Sequence, residues 1–143
     1  MQWELGALIL QTEPWSCAAG RWRAIEECGV DRAYVADHLT HPAMVGEWIP
    51  DPWVTLGAAA AVTTRLGLGT LVASAATRSA VLLARAASTV HDISGGRFVL
   101  GLGAGTAFDA KAERGAEESP GIPSRRFADV VHGLKAVWAR SPP

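Results

Sequence analysis

A fourfold repeat constrains this chain more than any other feature: a short apolar run, then a helical pattern, four times over. The apolar runs start near residues 3, 32, 66 and 97, a period of about thirty. The first, 3–10 (WELGALIL), is almost continuously apolar, which suits a strand covered on both faces. The second, 32–36 (RAYVA), ends in Asp37-His38, and the third is 66–73 (LGLGTLVA). The fourth, 98–102 (FVLGL), leads into Gly103-Ala104-Gly105. Between them the helical signals are strong. A helix is predicted over 16–28, with Ser16 as N-cap and Gly29 as stop. Another starts with Asp51 as N-cap and Pro52 at the first helical position. A third spans 80–93, with Leu83, Ala87, Val90 and Ile93 on one stripe and Ser94-Gly95-Gly96 closing it. The last begins near Ser124 and carries Phe127, Val130, Val131, Leu134 and Trp138 at helical spacing. The stretch 106–123, rich in Gly, Glu, Ser and Pro, reads as a polar connection.

Four such βα units imply an α/β fold with a parallel sheet and right-handed crossovers. Two architectures use them: an open doubly wound sheet, and a closed (β/α)8 barrel of normally about 250 residues. Four units are half of the second. An open flavodoxin-like domain fits the length, but its phosphate loop would follow the first strand. There Gln11-Thr12-Glu13-Pro14-Trp15 is a poor anion cradle.

Composition removes other classes. Of 143 residues 49% are hydrophobic and 19% charged, so the chain can bury a core and is not a disordered one. A net charge of -1 gives no basic face for nucleic acid. The longest uncharged stretch in the apolar middle, 66–77, is too short to cross a bilayer. The first residues carry Glu4 and no basic cluster, so they do not read as a signal peptide, and a cytoplasmic location is expected. Cys17 and Cys28 are eleven apart, on one face of a helix, and read as two buried small hydrophobes. A disulfide between them is excluded by their separation along the helix.

In either architecture ligands gather at the carboxyl ends of the strands. Those ends hold Gln11 and Thr12, then Asp37-His38, then 73–78, then 103–109. Asp37-His38 is the best polar pair, because imidazole exchanges a proton near neutral pH and a neighbouring carboxylate can orient it. The bland alternative is that Asp37 caps the loop and His38 packs. Gly101-Leu102-Gly103-Ala104-Gly105 imitates a dinucleotide fingerprint, but Thr106 stands where the final glycine belongs and no helical pattern starts directly after it. These glycines either let a ligand approach the backbone or fit a crowded strand, and Gly67 and Gly69 read as packing. No cluster of His, Cys and carboxylate has metal spacing, so no metal is expected, and neither GxSxG nor Walker A occurs. His91 and His132 fall on helices and read as surface or packing residues. Trp48, in the loop after the second strand, could wall a pocket.

Three segments carry a resemblance: 21–39 (RWRAIEECGVDRAYVADHL), 51–72 (DPWVTLGAAAAVTTRLGLGTLV) and 82–105 (LLARAASTVHDISGGRFVLGLGAG). With its D-x-x-S-G-G-R followed by a strand and G-x-G-x-G, the last is the most specific. The chain resembles the N-terminal half of the bacterial luciferase-like monooxygenase superfamily, whose members are flavin- or F420-dependent oxidoreductases. The resemblance implies one unit, residues 1–143, forming four βα units of a TIM (β/α)8 barrel, a truncated half barrel. It implies FMN or the deazaflavin F420 as cofactor and a small organic molecule as substrate. By the same resemblance Asp37 and His38 lie beside the flavin-type ring as catalytic residues. A non-prolyl cis peptide maps near Leu71-Val72-Ala73, behind the ring, and Gly103, Gly105 and Thr106 lie against the cofactor. Thr106 departs from the Glu that deazaflavin-dependent sugar-phosphate dehydrogenases often carry there, and Leu71 departs from their Ser or Thr.

The family needs about twice this chain, so a fragment or truncated product is expected. A half barrel leaves its first and fourth strands as edges and an apolar inner face uncovered. The competing expectation is therefore a non-catalytic half barrel that associates with itself or with a partner through those edges.

Overall fold

The computed structural model describes residues 3–39, 49–115 and 118–140. The loop residues His41, Pro42, Met44, Gly46 and Trp48 lie outside the described residues. The elements in chain order are β1 (Gly6–Ile9), α1 (Trp15–Glu27), β2 (Arg32–Val35), α2 (Pro52–Val62), β3 (Gly67–Thr70) and β4 (Ala73–Ser74). They continue with α3 (Ala80–Ile93), β5 (Phe98–Val99), β6 (Leu102–Gly103), α4 (Ala107–Arg114) and α5 (Ile122–Arg140). Strands β1, β2, β3 and β5 form one parallel sheet in that order. Parallel neighbours in sequence order need a helix to carry the chain back over the sheet, and α1, α2 and α3 are those crossovers. The repeat predicts this parallel α/β sheet, and its sequential strand order is that of the half barrel which the resemblance implies.

The register explains the composition of each strand. Ala33, Leu68 and Phe98 share one row across β2, β3 and β5, all buried against the helices. Trp22, Leu56, Leu83, Val90 and Leu134 from four helices complete that core. The next row, Leu8, Tyr34, Gly69 and Val99, faces the other way. Leu8 and Val99 on it are exposed, which is the uncovered inner face the half barrel predicts. Gly69 is small because the Tyr34 ring lies beside it: an added Cβ would stand 2.8 Å from Cδ1.

Several details correct the sequence reading. The third and fourth strands are each broken in two. Beyond the cis peptide Leu71–Val72, β4 pairs with β6 in a separate two-stranded ladder. Helix α1 begins one residue early: Pro14 is its N-cap with no side-chain cap, so Ser16 sits inside the first turn. Cys17 and Cys28 are exposed free thiols, because Ala18, Trp22 and Ile25 hold the inward face of α1. The stretch 106–123 is not all connection. Thr106 caps α4 by accepting from Asp109 N–H at 3.1 Å, and Gly115, at φ 73°, ends it in the left-handed region. The start of α2, capped by Asp51, and the span of α3 stand as read.

The amino ends of the strands are closed by two charged side chains bound to backbone. Glu26 Oε1 accepts from the N–H groups of Thr64, Arg65 and Leu66 at 2.9, 2.6 and 2.8 Å. Arg97 belongs to the D-x-x-S-G-G-R run. Gly95 and Gly96 take φ of 63° and 87°, a left-handed turn that folds the chain back under α3. The guanidinium then donates to the carbonyls of Ser94, Leu66, Ala60 and Thr63 between 2.6 and 3.1 Å. The most specific motif of the sequence is thus a structural clamp joining the C-terminal ends of α2 and α3 to β3.

Candidate functional site

At the opposite, carboxyl end the two predicted tips converge. His38 Nδ1 lies 3.0 Å from Asp109 Oδ2, seventy-one residues on. The same carboxylate accepts the Leu39 N–H on Oδ1 at 3.0 Å and the Thr106 hydroxyl on Oδ2 at 2.6 Å. The Asp109 side chain is 0% exposed and that of His38 36%. Burial pushes the Asp109 pKa up, and the hydrogen bonds from Thr106, His38 and Leu39 outweigh it, so the net shift is downward. Asp109 is therefore an anion at neutral pH, although fully buried.

Asp37 is placed differently from its neighbour. It is 2% exposed and turns away from His38 into a second network. Its Oδ2 accepts from Trp53 Nε1 at 3.3 Å, from Ser74 N–H at 3.4 Å and from Arg78 Nε at 3.2 Å. Arg78 reaches on to Asp51 Oδ2 at 2.6 Å, while Asp51 Oδ1 caps α2 through the N–H groups of Trp53 and Val54. Arg78 thus grips both feet of the β2–α2 loop, Asp37 at its start and Asp51 at its end. Desolvation works against the charges of Asp51 and Arg78, and their mutual hydrogen bond prevails: Asp51 falls below and Arg78 rises above its ordinary pKa. The carboxylate that orients His38 is Asp109, not the adjacent Asp37.

Between the two networks lies the broken third strand. The peptide Leu71–Val72 is cis, inside the window marked in the sequence. Leu71 and Val72 are 51% and 39% exposed, an apolar pair on the mouth. Ala73 is fully buried, and its N–H donates to Gly101 O at 2.8 Å, so it backs the bulge. Gly103 lies against Val72, where an added Cβ would stand 2.6 Å from Cγ2. Gly105, at φ 90°, leaves no room either: a Cβ there would meet Ser74 Oγ at 2.6 Å. Gly103 fits a crowded strand pair, and Gly105 the equally crowded chain just beyond it.

A family model described as luciferase-like monooxygenase matches residues 1–143. The chain belongs to that family. Among curated relatives, an uncharacterized protein of Mycobacterium tuberculosis is 28% identical, over 94% of this chain and 53% of the relative. The phthiodiolone/phenolphthiodiolone dimycocerosates ketoreductase of the same organism is 30% identical, over 77% of this chain and 33% of that enzyme. The chain spans about half the length of the first of these. Two solved structures show the same fold over 100% of the chain. One is an F420-dependent secondary alcohol dehydrogenase in complex with an F420-acetone adduct, at TM-score 0.85, 22% identity and 44% of its length. The other is the oxygenating constituent of 3,6-diketocamphane monooxygenase from Pseudomonas putida in complex with FMN, at TM-score 0.82, 18% identity and 41% of its length.

In this luciferase-like chain two polar residues at the mouth escaped the sequence reading as site residues. Asp109 had a signal: Thr106-x-x-Asp109 is the spacing of a capping pair ahead of an Ala-rich helical run. Arg78 had none beyond its place after the third strand, since its partners lie 41 and 27 residues earlier.

Proposed function

We propose that this chain supplies the first four strands of a flavin- or F420-dependent oxidoreductase site acting on a small organic substrate. The observation that carries the reading is the meeting of His38 with Thr106 and Asp109 at the carboxyl ends of the strands, beside the exposed Leu71–Val72 pair. The residues fit a flat heteroaromatic ring: Leu71 and Val72 offer an apolar wall, and the neighbouring Gly103 and Gly105 add no side chain. Thr106 lies at the polar edge of that wall, and Ala73 supports the bulge from behind. When bound, FMN or F420 supplies hydride or oxygen-transfer chemistry, and the protein supplies binding, orientation and charge. His38 is the proton-exchanging group beside it, and Asp37, held by Arg78, fixes the start of the loop that carries it. The ketoreductase relative and the secondary alcohol dehydrogenase neighbour favour a carbonyl–alcohol pair as substrate class; the diketocamphane neighbour favours a ketone that is oxygenated. Absorbance of the purified protein, followed by titration with FMN and with F420, tests this. A bound chromophore, or saturable uptake of one of the two, is expected; uptake of neither overturns the reading.

A second reading, association through sheet edges in a cytoplasmic protein, draws on β1 and β5 lying at the rims of the sheet, each with an exposed apolar residue, Leu8 and Val99. Light scattering after size exclusion tests it, and a monomer at high concentration rules it out.

A further inference from the structure

We infer that Asp109 is a positioning residue which fixes the His38 imidazole in its Nδ1–H tautomer and so makes Nε2 the atom that gains and loses the proton. The argument is one of donors and acceptors. An ionised carboxylate only accepts hydrogen bonds. Asp109 Oδ1 receives the Leu39 N–H, a donor fixed by the backbone, and Oδ2 receives the Thr106 hydroxyl. Thr106 Oγ1 in turn accepts the Asp109 N–H, so its proton is directed outward to Oδ2. The contact of 3.0 Å between His38 Nδ1 and Oδ2 then requires the hydrogen to be on Nδ1. Burial keeps water from competing for the carboxylate, and the partly exposed ring keeps contact with the mouth.

The consequence for catalysis rests on the oxidoreductase reading; the tautomer does not. Asp109→Asn separates the two. The amide must keep its oxygen on the Leu39 N–H, which cannot turn, and therefore presents NH2 toward His38. Nδ1 becomes an acceptor and the hydrogen moves to Nε2. Long-range 15N–1H correlation spectra above the histidine titration read this directly. The Nδ1–H pattern is expected for His38 in the unaltered protein and the Nε2–H pattern in D109N. An Nε2–H pattern in the unaltered protein, or no change in D109N, overturns the proposal. If D109N does not fold, the unaltered protein decides alone, and T106V, which leaves the carboxylate in place, is expected to keep the Nδ1–H pattern. Where the cofactor-loaded enzyme is assayed, D109N is expected to lose roughly 10²-fold or more in kcat with little change in KM. A protein that takes up neither cofactor yet shows the tautomer pair refutes the oxidoreductase reading and leaves this inference standing.

Discussion

The two ends of the parallel sheet use charge in opposite ways. At the amino ends, Glu26 accepts from three consecutive backbone N–H groups, and Arg97 donates to four backbone carbonyls. At the carboxyl ends ionisable side chains also bind one another: Asp37 with Arg78, Arg78 with Asp51, Asp109 with His38. A side chain bound mainly to backbone, with one hydroxyl beside it, holds the chain in place and offers nothing further. A network of side chains that includes a partly exposed imidazole keeps one member at the mouth, where a ligand would lie. This is the division between a stability face and a functional face that barrels of βα units make generally. The distinction is not absolute, because the Asp37–Arg78–Asp51 network at the functional end is itself a clamp on a loop.

The largest expected effect breaks the simple form of that contrast. Arg78→Ala leaves Asp37 buried without the cation that pairs with it among the described residues, and removing one partner of a buried pair costs about 3–5 kcal/mol. Chemical denaturation should therefore show a functional-end variant that is severely destabilised. Arg78→Lys should recover only part of the loss, since one ammonium cannot address Asp37 and Asp51 as the guanidinium fork does. A loss below about 1 kcal/mol for Arg78→Ala would mean that the loop feet are held by other contacts.

Arg97→Ala tests the other end. Hydrogen bonds to a charged group are worth about 1.5–3 kcal/mol each, and the bonds of Arg97 share one side chain, so a total near 3 kcal/mol is expected. The unfolding midpoint should fall, while the folded fraction binds cofactor with unchanged affinity. Weaker binding by the folded fraction would show that the clamp reaches the mouth.

His38→Ala sharpens the contrast from the functional side. Loss of a positioned proton-exchanging group lowers turnover by about 10²-fold, or about 2.7 kcal/mol. Stability should change by under about 1 kcal/mol, because the His38 ring and its contact with Asp109 are partly exposed. Steady-state kinetics beside denaturation separates the two. Unchanged turnover would remove His38 from the chemistry.

How much of this was legible depended on how local each cause is. Asp51-Pro52 announces α2, and Ser79 with the apolar stripe from Leu83 to Val90 announces α3, because caps and periodicity act within one or two turns. The break in the third strand does not show in the apolar pattern, since 66–73 reads as one run; only the family resemblance marks the cis peptide there. At the break the strand meets Gly101 and Gly103 of the next unit, with Thr70 Oγ1 donating to Gly101 O at 2.7 Å and Val72 resting on Gly103. Residue type alone favours burial of Cys17 and Cys28, whereas Trp22 fixes which side of α1 faces inward and leaves both thiols exposed. The strand-end pattern points to His38, but the carboxylate on its ring is seventy-one residues away, where sequence adjacency points to Asp37 instead.

The smallest effect concerns pH and separates the ends again. Burial alone would raise the pKa of Glu26, but the N–H groups of Arg65, Leu66 and Thr64, with the charge of Arg65, bring it from 4.5 down to about 2. A carboxyl with a depressed folded pKa contributes stability that is complete above its unfolded value and is lost as pH falls toward the folded one. The window is therefore pH 4.5 down to about 2. The side chain is partly solvated, so solvent screening keeps the contribution to about 1 kcal/mol or less. Glu26→Gln keeps an acceptor for the backbone donors and removes the charge. It should cost little at pH 3, more at pH 7, and flatten the acid limb of the stability curve. Asp109 falls in the same direction by a different route, since part of its lowering comes from His38. The Glu26 limb should be insensitive to His38→Ala, whereas the Asp109 contribution should shrink with it. Acid denaturation of the single and double variants measures both, and an acid limb unchanged in Glu26→Gln would show that the backbone nest binds the neutral amide as well as the carboxylate.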